Sequence, residues 1–207
     1  MKKLFLSSSF KDVAELFEEF ASMELVGKTV TFIPTAALHE KVNFYVKSGR
    51  KALEKMGLIV EELEISSATQ AEIVNKLQSN DFIYVSGGNT FFLLQELQRV
   101  GADKIIKDEI ESGKIYIGES AGSMILAPDT EYVKDMDDYK IATDLSDFHG
   151  LNIVDFYPVP HHNCSPFQKA VERIISKYED TLILKPISNS QVIEVSDNVI
   201  RIAEIRL

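Results

Sequence analysis

The stretch GKIYIGESAGSMIL, Gly113 to Leu126, places Ser120 between Gly118 and Gly122 at the end of an apolar run, Ile115-Tyr116-Ile117. Small residues on both sides permit a backbone turn too tight for side chains. G-x-S-x-G where a strand meets a helix is the pattern that exposes a serine oxygen as a nucleophile above a sheet. A helix starting there points the positive end of its dipole at Ser120 and leaves the N–H of Ala121 free to face an oxyanion. On this motif alone an ordinary strand-to-helix turn punctuated by Gly and Ser fits equally well.

A second glycine turn lies in YVSGGNTFFLL, Tyr84 to Leu94. Gly87-Gly88 lets the backbone approach a ligand closely, and Asn89 or Thr90 can cap the next helix. Read functionally, Gly88 N–H is the second oxyanion donor, with Asn89 and Thr90 beside the substrate. It is no P-loop, because the Lys of that motif is missing. A serine nucleophile needs a base, and there are four histidines. His39 falls near a helix start and His149 in an acidic stretch, whereas His161 and His162 follow a late strand-like run. That run brings them to the same sheet edge as Ser120. A metal reading of His161, His162 and Cys164 is poor, since adjacent histidines diverge and no second ligand cluster has zinc-site spacing. No metal or cofactor is expected.

The elements that must position these residues follow from periodicity. Strand-like runs fall at 2–7, 28–34, 58–65, 81–86 and 114–118, and helical patterns at 10–25, 38–56, 69–79 and 89–112, the last broken at Gly101. Ser9-x-x-Asp12 and Thr69-x-x-Glu72 read as helix caps. Strands alternating with helices imply right-handed crossovers and a mainly parallel sheet covered on both faces, that is, a three-layer α/β/α fold. Residues 128–150 are rich in Asp without a clear period and read as an excursion or a β-hairpin. A strand at 153–159, a helix at 166–178 opening with Ser165 as N-cap and Pro166 at its first position, a strand at 181–187 and a β-hairpin about Asp197-Asn198 complete the chain. No linker, repeat or composition shift divides residues 1–207, so one domain is expected.

The composition narrows the partners. A formal net charge of −10 and no basic stripe argue against nucleic acid and anionic membranes. No run approaches a membrane span or a signal peptide. The single cysteine, Cys164, excludes an intrachain disulfide framework and fits a reducing, cytoplasmic setting. The terminal hairpin either covers a sheet edge or pairs with another chain, which leaves monomer and homodimer both open.

SGGNTFFLL followed by IGESAGSMILAP, in that order and with Pro160-His161 after a late strand, resembles the S51 serine peptidases, the peptidase E family that includes the cyanophycinases. The resemblance spans nearly the whole chain. It implies a fold like that of the class I glutamine amidotransferases and a metal-free serine hydrolase that removes the N-terminal residue of very short peptides, aspartyl dipeptides among them. Carried over, Ser120 is the nucleophile, His161 the base with His162 the alternative, and Gly88 and Ala121 supply the oxyanion-hole amides. Asp135 takes the acid's place, with Asp129, Glu131, Asp137 and Asp138 nearby. Glu119 is a candidate for the substrate's α-amino group. Lys169 and Arg173 are the cations available for an aspartyl carboxylate, and neither falls cleanly on the family's selecting arginine.

Two other readings remain: a cyanophycinase-like or other amide hydrolase on this scaffold, and a binding protein that has lost activity. An esterase is disfavoured because too little chain separates Ser120, the acids and the histidine pair. A cysteine-dependent amidotransferase is disfavoured because the turn carries Ser and Cys164 lies elsewhere.

Overall fold

A computed structural model describes residues 2–205. Its centre is a seven-stranded sheet. In chain order the strands are β1 (Lys3–Ser7), β2 (Thr29–Ile33), β3 (Ile59–Glu62), β4 (Phe82–Val85), β5 (Ile115–Glu119), β8 (Gln191–Ser196) and β9 (Val199–Glu204). They lie side by side in the order β3-β2-β4-β5-β1-β8-β9. The first five are parallel, and β8 and β9 run antiparallel at one edge. The inner strands β4 and β5 are buried throughout, as expected of a parallel sheet covered on both faces.

Each face carries its own core. On one side helix α1 (Phe10–Ala21) lays Phe10, Val13, Phe17, Phe20 and Ala21 against the sheet, the helical spacing of an amphipathic face. Phe5 of β1 meets Phe10 and Phe17 edge-on, at centroid distances of 6.0 and 5.3 Å. Helix α2 (Phe44–Lys55) joins this layer through Leu53. On the other face α3 (Gln70–Ser79), α4 (Thr90–Val100) and α5 (Ala102–Glu111) bury Ile73, Leu77, Leu93, Leu97, Ile106 and Ile110. A third cluster binds the short helix α6 (Ala121–Met124), the following excursion and α7 (Gln168–Tyr178) around Phe91, Tyr132 and Val159.

Several boundaries differ from the sequence reading. The helix expected over 38–56 starts only at Phe44, because residues 35–37 form a 3-10 turn that packs at the sheet edge with Ala36 against Gly88. Ser9 makes no side-chain cap on α1; the Glu119 carboxylate takes the Phe10 N–H instead, at 2.9 Å. Residues 128–150 form no hairpin. They hold 3-10 turns at Glu131–Asp135 and Tyr139–Ile141 and a lone bridge between Asp129 and His149. The late strands shrink to β6 (Tyr157–Val159) and β7 (Leu184–Pro186), which pair with each other in parallel outside the main sheet. Helix α7 begins at Gln168 with Phe167 at its N-cap position, so neither Ser165 nor Pro166 starts it.

Local signals elsewhere hold. Gly101, at φ 70°, ends α4 and opens α5. Asp197, at φ 52°, turns β8 into β9. Thr69 and Glu72 form a reciprocal capping box on α3, each side chain accepting the other residue's backbone N–H. Thr69→Ala is therefore expected to lower the unfolding free energy by about 1 kcal/mol, read as a shifted urea midpoint at unchanged slope.

Candidate active site

Ser120 stands where β5 ends, between β4 and β1, at the carboxyl edge of the parallel strands where open α/β sheets bind ligands. Its backbone is at φ 49° and ψ −105°, a conformation L-residues rarely adopt and one that surrounding contacts must hold. The contacts are present. Ser120 N–H donates to Ser7 O at 2.9 Å, and Ser123 Oγ donates to Ser7 O and Gly118 O at 2.9 and 3.0 Å. The glycines make the turn possible by close approach. A Cβ on Gly118 would lie 2.6 Å from Gly122 O, and one on Gly122 would overlap the carbonyl oxygen of Val85.

Ser120 Oγ lies 3.0 Å from His161 Nε2. His161, at φ 65°, follows β6, and its backbone N–H donates to Ser8 Oγ at 3.0 Å. The ring's other nitrogen, Nδ1, faces Asn189 Oδ1 at 2.9 Å. An amide oxygen accepts only, so Nδ1 carries the proton and the lone pair of Nε2 is turned to the serine hydroxyl. That is the tautomer a general base needs. Phe167 stacks on the imidazole with ring centroids 4.6 Å apart and planes 21° apart. Burial pushes the His161 pKa below the usual histidine value, and the Asn189 hydrogen bond opposes that shift.

The two amides singled out in the sequence are unengaged: among the described residues Ala121 N–H and Gly88 N–H donate to no other group. Gly88 sits at φ 137°, and a Cβ there would overlap the Ala36 carbonyl, so only glycine fits between the two loops. Gly87 and Ser120 are in close approach, the Ser120 Cβ being 3.2 Å from where a Gly87 Cβ would stand.

Other sequence candidates are placed differently. Asp135 does not reach His161. Its carboxylate lies 3.4 Å from Arg173 Nε and 3.9 Å from Lys177 Nζ, because the 3-10 turn that carries it packs against α7. Arg173 is thereby committed as well, with a further hydrogen bond to Asp135 O at 3.3 Å, and Lys169 lines the same outer cleft. His162 is tied by its backbone N–H to Ile187 O at 2.9 Å, and only His161 reaches Ser120. Asn89 caps α4 by accepting Phe92 N–H at 2.9 Å and donates to Asp138 O at 3.0 Å. Thr90 donates through N–H and Oγ to Asp137 Oδ2 at 2.9 and 2.6 Å. Both therefore fasten the glycine loop to the acidic excursion rather than face a substrate. Glu119 is 2 % exposed and turned inward, accepting from Phe10 N–H and Tyr84 Oη at 2.9 Å each. It joins α1, β4 and the serine turn, so its carboxylate is not free for an amino group.

Two residues were missed. Asn189 lies in the polar run Ser188-Asn189-Ser190 just after β7, the same kind of strand-end position that drew attention to His161. Tyr45 comes from the start of α2, where no motif marks it. Its ring edge is 3.5 Å from the place of a Gly87 Cβ, beside Ser120. Burial, then the charges of Glu40, Glu119 and Asp137, push its hydroxyl pKa up.

Among the described residues no group of three His, Cys, Asp or Glu side chains is placed to hold a metal ion, and no helix is long and apolar enough to cross a membrane.

Comparison with known proteins bears on the family and the fold. The model of peptidase family S51 matches residues 4–203. An uncharacterized peptidase of Listeria monocytogenes is 55% identical over 193 residues, 93% of this chain and 94% of that one. Peptidase E of a Nostoc species is 28% identical over 97% of this chain and 85% of its own. The crystal structure of a Listeria monocytogenes protein provisionally named peptidase E superposes with a TM-score of 0.95 at 52% identity, covering both chains completely. A peptidase from an acI-B1 actinobacterium shares the fold, with a TM-score of 0.76 at 21% identity over 99% of this chain and 88% of that one. The architecture is that of the class I glutamine amidotransferase-like fold.

Burial raises the Glu119 pKa from 4.5 to about 7, against the hydrogen bonds that favour its charged form. A raised pKa means the folded state holds this proton more tightly than the unfolded chain. The resulting stability is complete below pH 4.5 and is lost as pH rises through about 7. Asp137, raised to about 6 by burial, acts in the same sense. Glu119→Gln is expected to remove its share of the slope, about 3 kcal/mol across that window, in unfolding free energies measured by denaturant at several pH values.

Proposed function

The chain belongs to peptidase family S51 and is a peptidase, and from that premise we propose that it is a serine-type enzyme cutting the N-terminal residue from very short peptides through an acyl-enzyme on Ser120. The observation that carries the reading is the 3.0 Å contact of Ser120 Oγ with His161 Nε2 at the carboxyl edge of the sheet. His161 takes the hydroxyl proton as Oγ attacks the carbonyl of the first residue. The developing oxyanion is received by the N–H groups of Gly88 and Ala121. His161 then returns the proton to the leaving amine, and water repeats the sequence to release the acid.

Asn189 takes the third place in this reading. It orients the imidazole and holds the proton on Nδ1, as a carboxylate does in other triads, but it adds no negative charge. An aspartyl preference has little support: Arg173 is engaged by Asp135, and the charges that act on Tyr45, beside Ser120, are those of acids. We read the acyl side as suited to unblocked peptides whose first residue is neutral or basic.

The test is a panel of unblocked dipeptides and aminoacyl p-nitroanilides, Asp-led members included, with N-acetylated controls. Ser120→Ala is expected to lose on the order of 10⁶ in kcat, and a variant with wild-type turnover would end the proposal. Asn189→Ala is expected to lower kcat on the order of 10²-fold with KM little changed, because the general base loses its tautomer and aim rather than its substrate contacts.

A further inference from the structure

The imidazolium that forms when His161 accepts the Ser120 proton has no carboxylate at Nδ1; the group there is the neutral Asn189 amide. Among the described residues no hydrogen bond or ion pair joins the ring to a charged group. On its own segment, His162 and Cys164 are bound through their backbone N–H groups to Ile187 O and His161 O. From the serine turn, the Glu119 carboxylate is directed to Phe10 and Tyr84. At the end of β1 the contact is Ser8, which is uncharged, and beyond Asn189 the Glu204 carboxylate accepts from Ser190 Oγ at 3.2 Å. On α7, Lys169 is exposed in the outer cleft with Asp135. Two causes move the His161 pKa, burial and the Asn189 bond, and neither is a charge.

What does lie against the ring is an aromatic face. Phe167 stacks on the imidazole at 4.6 Å, within the roughly 6 Å over which a cation is attracted by a ring quadrupole. A neutral imidazole gains only dispersion from that face. As the proton arrives it also gains an electrostatic attraction, so the contact is stronger in the transition state than in the ground state. We propose that Phe167 is a positioning residue whose π face stabilises the His161 imidazolium, the part a carboxylate plays in other serine hydrolases. The inference rests on the Ser120–His161 reading above.

A fluorophosphonate probe tests it without a known substrate. The Oγ–P bond forms, the P–F bond breaks and fluoride leaves, while the Ser120 proton passes to His161 Nε2. The pH dependence of the labelling rate therefore reports this base. Phe167→Leu is expected to label about three- to thirtyfold more slowly at the plateau, with the acid limb moved to lower pH. Pentafluorophenylalanine at position 167 keeps the shape and reverses the quadrupole, and is expected to act in the same direction even where the leucine variant folds poorly. Wild-type rate and acid limb in the pentafluoro protein would overturn the inference. So would slower labelling with the acid limb unmoved, since loss of packing alone produces that. Wild-type labelling of His161→Ala would instead overturn the Ser120–His161 reading, whatever position 167 does.

Discussion

The backbone at Ser120 is the constraint on which the rest of the molecule depends. A φ of 49° with ψ of −105° is unfavourable for a residue with a Cβ and persists only where its neighbours over-determine it. Here three strands and a short helix do so. Ser7 of β1 receives Ser120 N–H and Ser123 Oγ. Tyr116 of β5 donates its hydroxyl to Gly122 O at 2.7 Å. Gly122 is pressed against Val85 of β4 so tightly that no side chain fits. A parallel sheet buried on both faces is a rigid support for such a turn, because its strands are fixed by ladders on both sides and by packing above and below.

Glu119 extends the same support sideways. Its buried carboxylate binds the first turn of α1 and Tyr84 of β4. The cost of burying that group appears in its raised pKa, and the benefit is a junction between the strand that leads to Ser120 and the layer behind it. On the far side, Asp137 and Asn89 bind the acidic excursion to the glycine loop. The excursion, which has little regular structure of its own, thus becomes a wall of the site.

His161 is delivered by a separate device. The two-stranded β6–β7 unit brings His161 and Asn189 to the sheet edge from segments 28 residues apart, with His161 and Ile187 against Ser8. Ser8 accepts His161 N–H and donates to Ile187 O at 3.1 Å, coupling both ends of that unit to β1. The Ser–His–Asn line is therefore assembled by pairing between late strands, whereas the serine turn and the glycine loop are products of the main sheet.

The sequence alone determined what depends on neighbours a few residues away. The Thr69–Glu72 box, the break at Gly101, the turn at Asp197, the alternation of strands and helices, and the glycine-flanked Ser120 are all local. Each follows from dihedral preference, hydrogen bonds within a turn, or periodicity. The pairing of Ser120 with one member of the histidine pair was also within reach, since both ended strand-like runs. Only the tertiary structure decided the rest. Ser9 makes no side-chain cap, the Phe10 N–H goes to Glu119, 109 residues from Phe10, and Asp135 pairs with Arg173, 38 residues on. The partner of His161 Nδ1 is an asparagine with no motif around it. A side chain's partner is set by which elements pack together, and an acid near a candidate triad in the sequence carries no information about which helix the fold will place against it.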